Sequence, residues 1–296
     1  MTDRMTAADF HPRILEIFDG YVHGRISKRD FMTQAAQFAG AGMTAAAVFE
    51  ALRPDYALAQ QVAPDDLAIR TETVSYESPQ GNGTISGLMA RPAAAQGKLP
   101  AVLVVHENRG LNPYIADVVR RLGKAGYLAF GPDGLSPLGG YPGDDETGRE
   151  MQASLDPAKL MEDFFAAFEF LRDHPDSTGK VGVVGFCYGG GVANALAVAY
   201  PDLAAAVPFY GRQPRPEQVA RIQAPLLLHY AETDANVNAG WPEYEAALKA
   251  AGKDYRAFIY PGTQHGFHND TTPRYDREAA ELAWQRMLDF FAEKLN

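Results

Sequence analysis

Cysteine is almost missing from this chain: Cys187 is the only one among 296 residues. A single cysteine excludes an intramolecular disulfide and a zinc site built from several cysteines. The chain also lacks any run rich in lysine and arginine, and its net charge is −10, from 37 acidic against 27 basic residues. We therefore expect neither nucleic acid nor an anionic membrane as a partner.

Long apolar runs and internal repeats are missing as well. The sequence contains no uninterrupted run of about 18 strongly apolar residues, so it predicts no transmembrane helix. Its length of 296 residues, 46% of them hydrophobic, suits one large or two modest domains with a substantial core.

The lone cysteine lies at the centre of Gly185-Phe186-Cys187-Tyr188-Gly189. The β-branched run 181–184 precedes this segment and an alanine-rich stretch, residues 192–200, follows it. That order predicts a strand, a sharp turn and a helix, with a nucleophile at the apex of the turn. The flanking glycines have a steric reason, because larger side chains there would collide across the turn. The alternative is a cysteine that is simply a small buried hydrophobe.

The pattern along the chain predicts an α/β protein with a helical N-terminal extension. A boundary near residues 60–66 divides the extension, 1–63, from the main domain, 64–296. Alternating residues in 69–76 and 84–90, separated by a glycine-rich turn, predict an antiparallel edge hairpin. Strands and helices then alternate, which predicts a mostly parallel sheet with helices on both faces.

The extension has two interpretations. Ser27-Lys28-Arg29-Asp30-Phe31-Met32, the uncharged stretch 31–49 and Ala57-Leu58-Ala59 together resemble a degenerate twin-arginine export signal. Lysine in place of the first arginine, and charged residues before the supposed cleavage point, favour a helical extension packed on the main domain. We therefore expect a cytoplasmic protein, with export as the alternative, and consider a homo-oligomer formed through the extension.

Three chemical groups follow three predicted strands. Cys187 follows strand 181–186, Asp234 follows strand 225–230, and His265 follows strand 255–260. The site of a parallel sheet lies at the carboxyl ends of its strands, and the order Cys, Asp, His is that of the α/β-hydrolase fold. In such a triad the histidine moves the proton, the aspartate orients the histidine and the thiolate attacks a carbonyl.

Each partner of the cysteine has a rival nearby. Glu232 could replace Asp234, and His268 could replace His265. His265 and His268 could also bind a metal, but two histidines three residues apart without a third ligand are weak evidence, so we expect no metal and no cofactor. The other histidines are expected to be structural or solvated: His11, His23, His106, His174 and His229.

Taken together, these motifs resemble the dienelactone hydrolase (carboxymethylenebutenolidase) family over residues 65–296. The resemblance is carried by Val105-His106-Glu107-Asn108-Arg109-Gly110, Gly185-Phe186-Cys187-Tyr188-Gly189, Asp234 and Pro261-Gly262-Thr263-Gln264-His265-Gly266-Phe267. The N-terminal extension is similar to that of a longer subgroup.

The resemblance implies further site residues. Glu107 would contact the cysteine and help to form its thiolate, and the backbone N–H groups of Asn108 and Tyr188 would form the oxyanion hole. Arg149 would be one of two arginines that bind a substrate carboxylate, whereas Asn269 stands where the family has the other. Aromatic residues are candidate pocket walls: Tyr141, Tyr210, Trp241 and Phe267.

The sequence thus predicts a carboxylic ester hydrolase that cleaves an ester or lactone through a thioester acyl-enzyme. One alternative is a promiscuous carboxylesterase or thioesterase that acts on neutral acyl esters, because half of the expected carboxylate clamp is missing. A different class is a non-catalytic thiol redox sensor, which would need a reactive cysteine but no histidine–aspartate pair.

Overall fold

Eight strands form one sheet in the order β1-β2-β4-β3-β5-β6-β7-β8. The structure is a computed structural model that describes residues 5–38 and 43–296. The strands are β1 Ile69–Ser78, β2 Gly83–Pro92, β3 Leu99–Val105, β4 Leu128–Pro132, β5 Ser177–Phe186, β6 Ala205–Phe209, β7 Leu226–Ala231 and β8 Tyr255–Tyr260.

Eleven helices lie within the described ranges. They are α1 Pro12–Val22, α2 Lys28–Ala35, α3 Ala45–Leu52, α4 Pro113–Lys124, α5 Asp145–Ser154, α6 Pro157–Asp173, α7 Tyr188–Ala199, α8 Pro216–Val219, α9 Ala235–Asn238, α10 Trp241–Ala250 and α11 Arg277–Leu295. None of the helices in the described part of the chain is long and apolar enough to cross a membrane.

The edge hairpin and the parallel sheet confirm the predicted fold class. Strands β1 and β2 pair antiparallel, with Tyr76 opposite Ile85, and β2 pairs antiparallel with β4. The remaining neighbours are parallel. The inner strands β4, β6 and β7 are buried at every residue, as expected for a parallel sheet whose two faces are covered.

Two apolar clusters lie on opposite faces of the sheet. Side chains of α6, α7 and α10 form one cluster with residues such as Leu103 and Val183. Side chains of α4 and α11 form the other with residues such as Val104 and Val184. Alternate residues of each strand thus face different helices, and this holds the carboxyl ends of the strands in fixed positions.

Helix α5 was not predicted, and its composition explains why. Its sequence, DETGREMQAS, has no apolar stripe, and its buried residues are Gly148 and Gln152. The helix begins instead at a strong polar cap, because the Asp144 side chain accepts a hydrogen bond from the Thr147 N–H.

Helices α1 to α3 form an N-terminal unit, defined here as the described residues between 5 and 63. Its own apolar cluster surrounds Phe31, which is fully buried against the rings of Phe18, Tyr21 and Phe49. Ser27 caps α2, so the segment that resembles an export signal begins a helix here. Within the uncharged stretch 31–49, positions 39–42 lie outside the described residues.

The N-terminal unit packs on the main domain near the carboxyl ends of the strands. The Asn108 amide donates to the carbonyl of Val22 over 2.8 Å, at the end of α1. Lys28 pairs with Glu146 of α5, and the Asp55 N–H donates to the carbonyl of Thr271. The carboxyl end of α1 therefore lies beside the loop that follows β3.

Candidate active site

Cys187 occupies a strained turn between β5 and α7. Its backbone has φ 56° and ψ −111°, a conformation that side chains with a Cβ rarely adopt. A Cβ added to Gly185 would lie 1.9 Å from the carbonyl oxygen of Gly189, and one added to Gly189 would lie 2.3 Å from that of Val105. The predicted steric role of the two glycines is confirmed, and the turn presents the sulfur at the sheet edge.

Asp234 and His265 come together at the ends of β7 and β8. His265 Nδ1 lies 2.5 Å from Asp234 Oδ2, and both side chains are buried. The other carboxylate oxygen, Oδ1, accepts a hydrogen bond from the Val237 N–H, which fixes the orientation of the carboxylate. The Nε2 of His265 is buried and has no hydrogen-bond partner among the described residues, so it is free to accept a proton.

The rival residues lie elsewhere. Glu232 is exposed, and its carboxylate accepts from the Gly262 N–H. His268 is fully enclosed, with Nδ1 2.7 Å from the Tyr114 hydroxyl, and burial lowers the pKa of His268 well below its ordinary value. Neither side chain therefore joins the group around the Cys187 sulfur.

A histidine from the N-terminal unit approaches the same sulfur. His23 Nε2 lies 3.4 Å from Cys187 Sγ, and the His23 ring meets the His265 ring edge to face with centroids 4.6 Å apart. Asp19, one helical turn earlier, lies against His23: Nδ1 is 2.8 Å from its main-chain oxygen and 3.1 Å from Oδ1. The short contact to the carbonyl is the hydrogen bond, and the carboxylate is an ion-pair neighbour.

Sequence reasoning missed Asp19 and His23. Their i, i+4 spacing on α1 was a usable signal, since it places an acid beside a histidine on one face of a helix. Nothing in the sequence indicates which surface of the main domain that face would meet.

Glu107 is buried at the end of β3 and has Asn269 as its partner. The Asn269 amide donates to Glu107 Oε2 over 3.2 Å, and Thr271 in turn donates to the Asn269 side-chain oxygen. Asn269 thus satisfies one oxygen of a buried acid with a hydrogen bond, at the position where the resemblance leads us to expect an arginine.

A cavity of about 670 Å³ opens beside the sulfur. Asn108, Tyr188 and Tyr210 contribute to its wall, together with Cys187 and His265. The rest of the wall is largely apolar: Met161, Phe165, Val192, Val198 and Val237. The cavity has the size and lining of a small-molecule site.

Arg149 and Phe267 lie outside this wall. The Arg149 guanidinium rests 4.8 Å above the Tyr21 ring and lines a second, much smaller cavity between α5 and the N-terminal unit. Phe267 is fully buried behind Tyr210, with ring centroids 5.6 Å apart. Tyr141 and Trp241 are engaged elsewhere, the first with Asp145 and the second with Tyr230.

Two further histidines are parts of the core. His106 Nε2 accepts from the Gly134 N–H, and His229 Nδ1 lies 2.8 Å from the Tyr260 hydroxyl. Burial lowers the pKa of His106, and burial followed by the charge of Arg286 lowers the pKa of His229 to about 3. Both rings are thus neutral at pH 7.

The site also contains three atoms that could bind a metal, one each from Cys187, His23 and His265. These atoms lie within 4.8 Å of one another. A soft divalent ion would require a thiolate and two neutral imidazoles. Burial alone would lower the pKa of His23, but the neighbouring sulfur and Asp19 outweigh it and raise the pKa to about 9. A metal ion would therefore have to displace a proton from His23 before it could bind here.

Comparisons with known proteins identify the family of this chain. Residues 85–295 match the model of the dienelactone hydrolase family, and residues 1–40 match a YqhI-like model. A hydrolase fragment, YghX, from Escherichia coli strain K12 is 58% identical over 39% of this chain and 98% of its own length. A Yersinia pestis protein that carries the name carboxymethylenebutenolidase is 32% identical over 73% of this chain and 86% of its own length.

A solved structure shows the same architecture. The crystal structure of a protein described as a dienelactone hydrolase, from Klebsiella pneumoniae, is 29% identical and superposes with a TM-score of 0.66 over 75% of this chain and 99% of its own. The family model covers most of the main domain, including the cysteine turn and both loops of the Asp234–His265 pair. The chain belongs to the dienelactone hydrolase family and is a hydrolase of that type.

Proposed function

We propose that this chain hydrolyses a carboxylic ester or lactone through a Cys187–His265–Asp234 triad and a thioester acyl-enzyme. The observation that carries the proposal is the convergence of a strained cysteine turn and a buried His–Asp pair on one cavity. The sulfur attacks the carbonyl carbon, the leaving alkoxide is expelled, and water activated by His265 then cleaves the thioester.

The negative oxygen of each tetrahedral intermediate needs two donors. We assign them to the backbone N–H groups of Asn108 and Tyr188, both of which line the cavity. Tyr188 is the first residue of α7, so its N–H has no acceptor within the helix. Glu107 directly precedes Asn108 and is held by the Asn269 amide, and on the family resemblance we include it in the catalytic set.

The cavity wall suggests the substrate class. Its apolar side chains suit the acyl part of a neutral ester, and Tyr210 closes the wall next to His265, with ring centroids 4.9 Å apart. The apolar wall leads us to propose neutral acyl esters as preferred substrates. Arg212 and Arg221 also border the cavity and would be the partners of a substrate carboxylate, so acidic lactones are the comparison.

The test is the variant Cys187→Ala together with trapping of the acyl-enzyme. Removal of the nucleophile should lower kcat for a p-nitrophenyl ester by about 10³-fold or more, while acid quenching of the native enzyme should yield a Cys187 peptide heavier by one acyl group. Undiminished turnover in Cys187→Ala contradicts the proposal, and so does an acyl group recovered on another residue. A higher kcat/KM for an acidic lactone than for a neutral ester contradicts the substrate class alone.

A further inference from the structure

The Cys187 sulfur has one hydrogen-bond partner among residues 5–38 and 43–296, and that partner is His23. A ring nitrogen of His265 also lies within 4.8 Å of the sulfur, but His265 Nε2 makes no hydrogen bond to it. The imidazole nearest to the nucleophile in the resting site thus belongs to the N-terminal unit. The triad proposed above leaves this residue without a role.

His23 is held as a catalytic base would be held. Its Nδ1 faces Asp19 within 3.1 Å of the carboxylate, which leaves Nε2 directed at the sulfur. Arg25 pairs with the same carboxylate, and Arg274 of the main domain lies 3.9 Å from it. An orienting acid, an imidazole and a thiol therefore form a second chain of contacts, separate from Asp234 and His265.

We propose that His23 is a second catalytic histidine, which holds the proton of Cys187 and delivers it to the leaving group, with Asp19 as its positioning residue. The inference rests on the proposed ester hydrolysis and divides its two halves between two imidazoles. His23 serves acylation, and His265, whose Nε2 is unpartnered, serves deacylation.

The proton balance closes over one turnover. In acylation the sulfur bonds to the acyl carbon, the C–O bond breaks, and the alkoxide takes the proton from His23 Nε2 and leaves as an alcohol. In deacylation a water gives one proton to His265 Nε2 while its oxygen bonds to the acyl carbon, and the C–S bond breaks with its electron pair returning to sulfur. The carboxylic acid departs, and the proton passes from His265 through the sulfur to His23.

The charges around His23 support this assignment. The groups that face it are Asp19 on its own helix, Cys187 at the turn between β5 and α7, and His265 on the loop after β8. Burial acts against the protonated ring, but the sulfur and the carboxylate raise the pKa of His23 to about 9. Burial also acts against the charge of Asp19, yet the neighbouring His23 and the charge of Arg274 hold the pKa of Asp19 well below its usual range.

The first experiment reads the thiol directly. Because Cys187 is the only cysteine, the rate at which iodoacetamide alkylates the native full-length protein reports this sulfur alone. At about pH 6 the variant His23→Gln should react about tenfold or more slowly than wild type, and the two rates should converge near pH 10, where a free thiol ionises without help. Asp19→Asn keeps the imidazole and should give a smaller loss, about threefold.

Two controls fix the interpretation. His11→Gln changes an exposed histidine of the same unit, whose ring caps α1 far from the sulfur, and should leave the alkylation profile at wild-type values. His265→Gln should also keep the alkylation profile, although it removes turnover. The fold of every variant is checked by its thermal unfolding midpoint and its far-ultraviolet circular dichroism, and His11→Gln should match wild type in both. If His23→Gln does not fold, the alkylation rate of Asp19→Asn decides the question.

The second experiment varies the leaving group. A p-nitrophenolate ion needs no proton to depart, whereas an alkoxide does, so His23→Gln should lower kcat/KM for an ethyl ester at least tenfold more than for the matching p-nitrophenyl ester. A purely structural role for His23 would lower both values equally. Coincident alkylation profiles of His23→Gln and wild type, or equal losses on both esters, overturn the inference. If the wild-type cysteine is alkylated as expected but the protein cleaves no ester, the proposed function and proton delivery to the leaving group are both overturned. Only the pairing of the thiol with His23 would then stand.

Discussion

Two regions of this molecule each bring a histidine and an aspartate to one sulfur, and they do so by different means. In the main domain His265 and Asp234 are 31 residues apart and meet only because β7 and β8 are neighbours in the sheet. In the N-terminal unit His23 and Asp19 are neighbours on one helix and need no sheet to meet. The first pair depends on the fold, whereas the second depends on how the unit docks against the domain.

This difference predicts separable failures. Damage to the sheet loops should remove the base while the thiol keeps its partner. Damage to the N-terminal unit should remove the partner of the thiol while the base remains. The variants below test that separation.

The largest effect is expected from His265→Gln. Without this base no water can be activated to cleave the acyl-enzyme, so kcat should fall by about 10³- to 10⁴-fold. A rapid acyl burst of about one equivalent should persist, because His23 still serves the sulfur. Stopped-flow measurement of p-nitrophenol release checks this, and loss of the burst together with turnover contradicts the division of roles.

The next effect concerns the core of the N-terminal unit. Phe31→Ala removes a ring that is 0% exposed, and should cost about 3–5 kcal/mol of local stability. Hydrogen exchange followed by mass spectrometry should show lost protection within residues 12–35, with protection of the central strands retained. Alkylation of Cys187 near pH 6 should slow as in His23→Gln.

Phe164→Ala is the matched control, because Phe164 is equally buried in the core of the main domain. It should lower the protection of the sheet itself. Exchange patterns that do not differ between the two variants would contradict an independently packed N-terminal unit.

The pH dependence of stability should have opposite signs in the two regions. His229 has its pKa lowered to about 3 in the fold, against about 6.5 when unfolded, so its stabilising contribution is present above pH 6.5 and lost as the pH falls toward 3. His23 has its pKa raised to about 9, so its contribution is present below pH 6.5 and lost as the pH rises through 9. Acid should therefore weaken the main domain, and alkali should loosen the docked unit.

For His229 the loss between pH 7 and pH 5 should be about 2 kcal/mol by proton linkage. Urea unfolding of wild type and His229→Phe at both pH values measures it, and the pH-dependent loss should shrink by that amount in the variant. Equal losses in the two proteins would show that this ring does not remain neutral in the core.

Most candidate site residues of the main domain could be predicted because local sequence patterns mark their positions. The Gly-X-Cys-X-Gly segment requires its turn on steric grounds, and each buried strand marks the loop that follows it. Helix α5 could not be predicted from an apolar stripe, because it has none. It has a polar cap and contacts with the N-terminal unit, such as Lys28 with Glu146. The position of His23 beside Cys187 could not be predicted for a related reason. It depends on how the N-terminal unit docks, and docking depends on surfaces formed by several segments.

The smallest effect is expected from Arg149→Ala, which tests whether Arg149 binds substrate or only the N-terminal unit. Arg149→Ala removes a cation–π contact with Tyr21, worth about 0.5–1 kcal/mol at a partly exposed site, and should slightly lower protection in α1. The ratio of kcat/KM for an acidic to a neutral ester should stay within about twofold of wild type, since one lost charged hydrogen bond to substrate would cost about tenfold or more. Arg212→Ala, at the wall of the cavity beside Cys187, is the contrasting variant. If Arg149→Ala lowers kcat/KM for the acidic ester alone, Arg149 contacts the substrate rather than only the N-terminal unit. A contact between the unit and the domain cannot distinguish a charged ester from a neutral one.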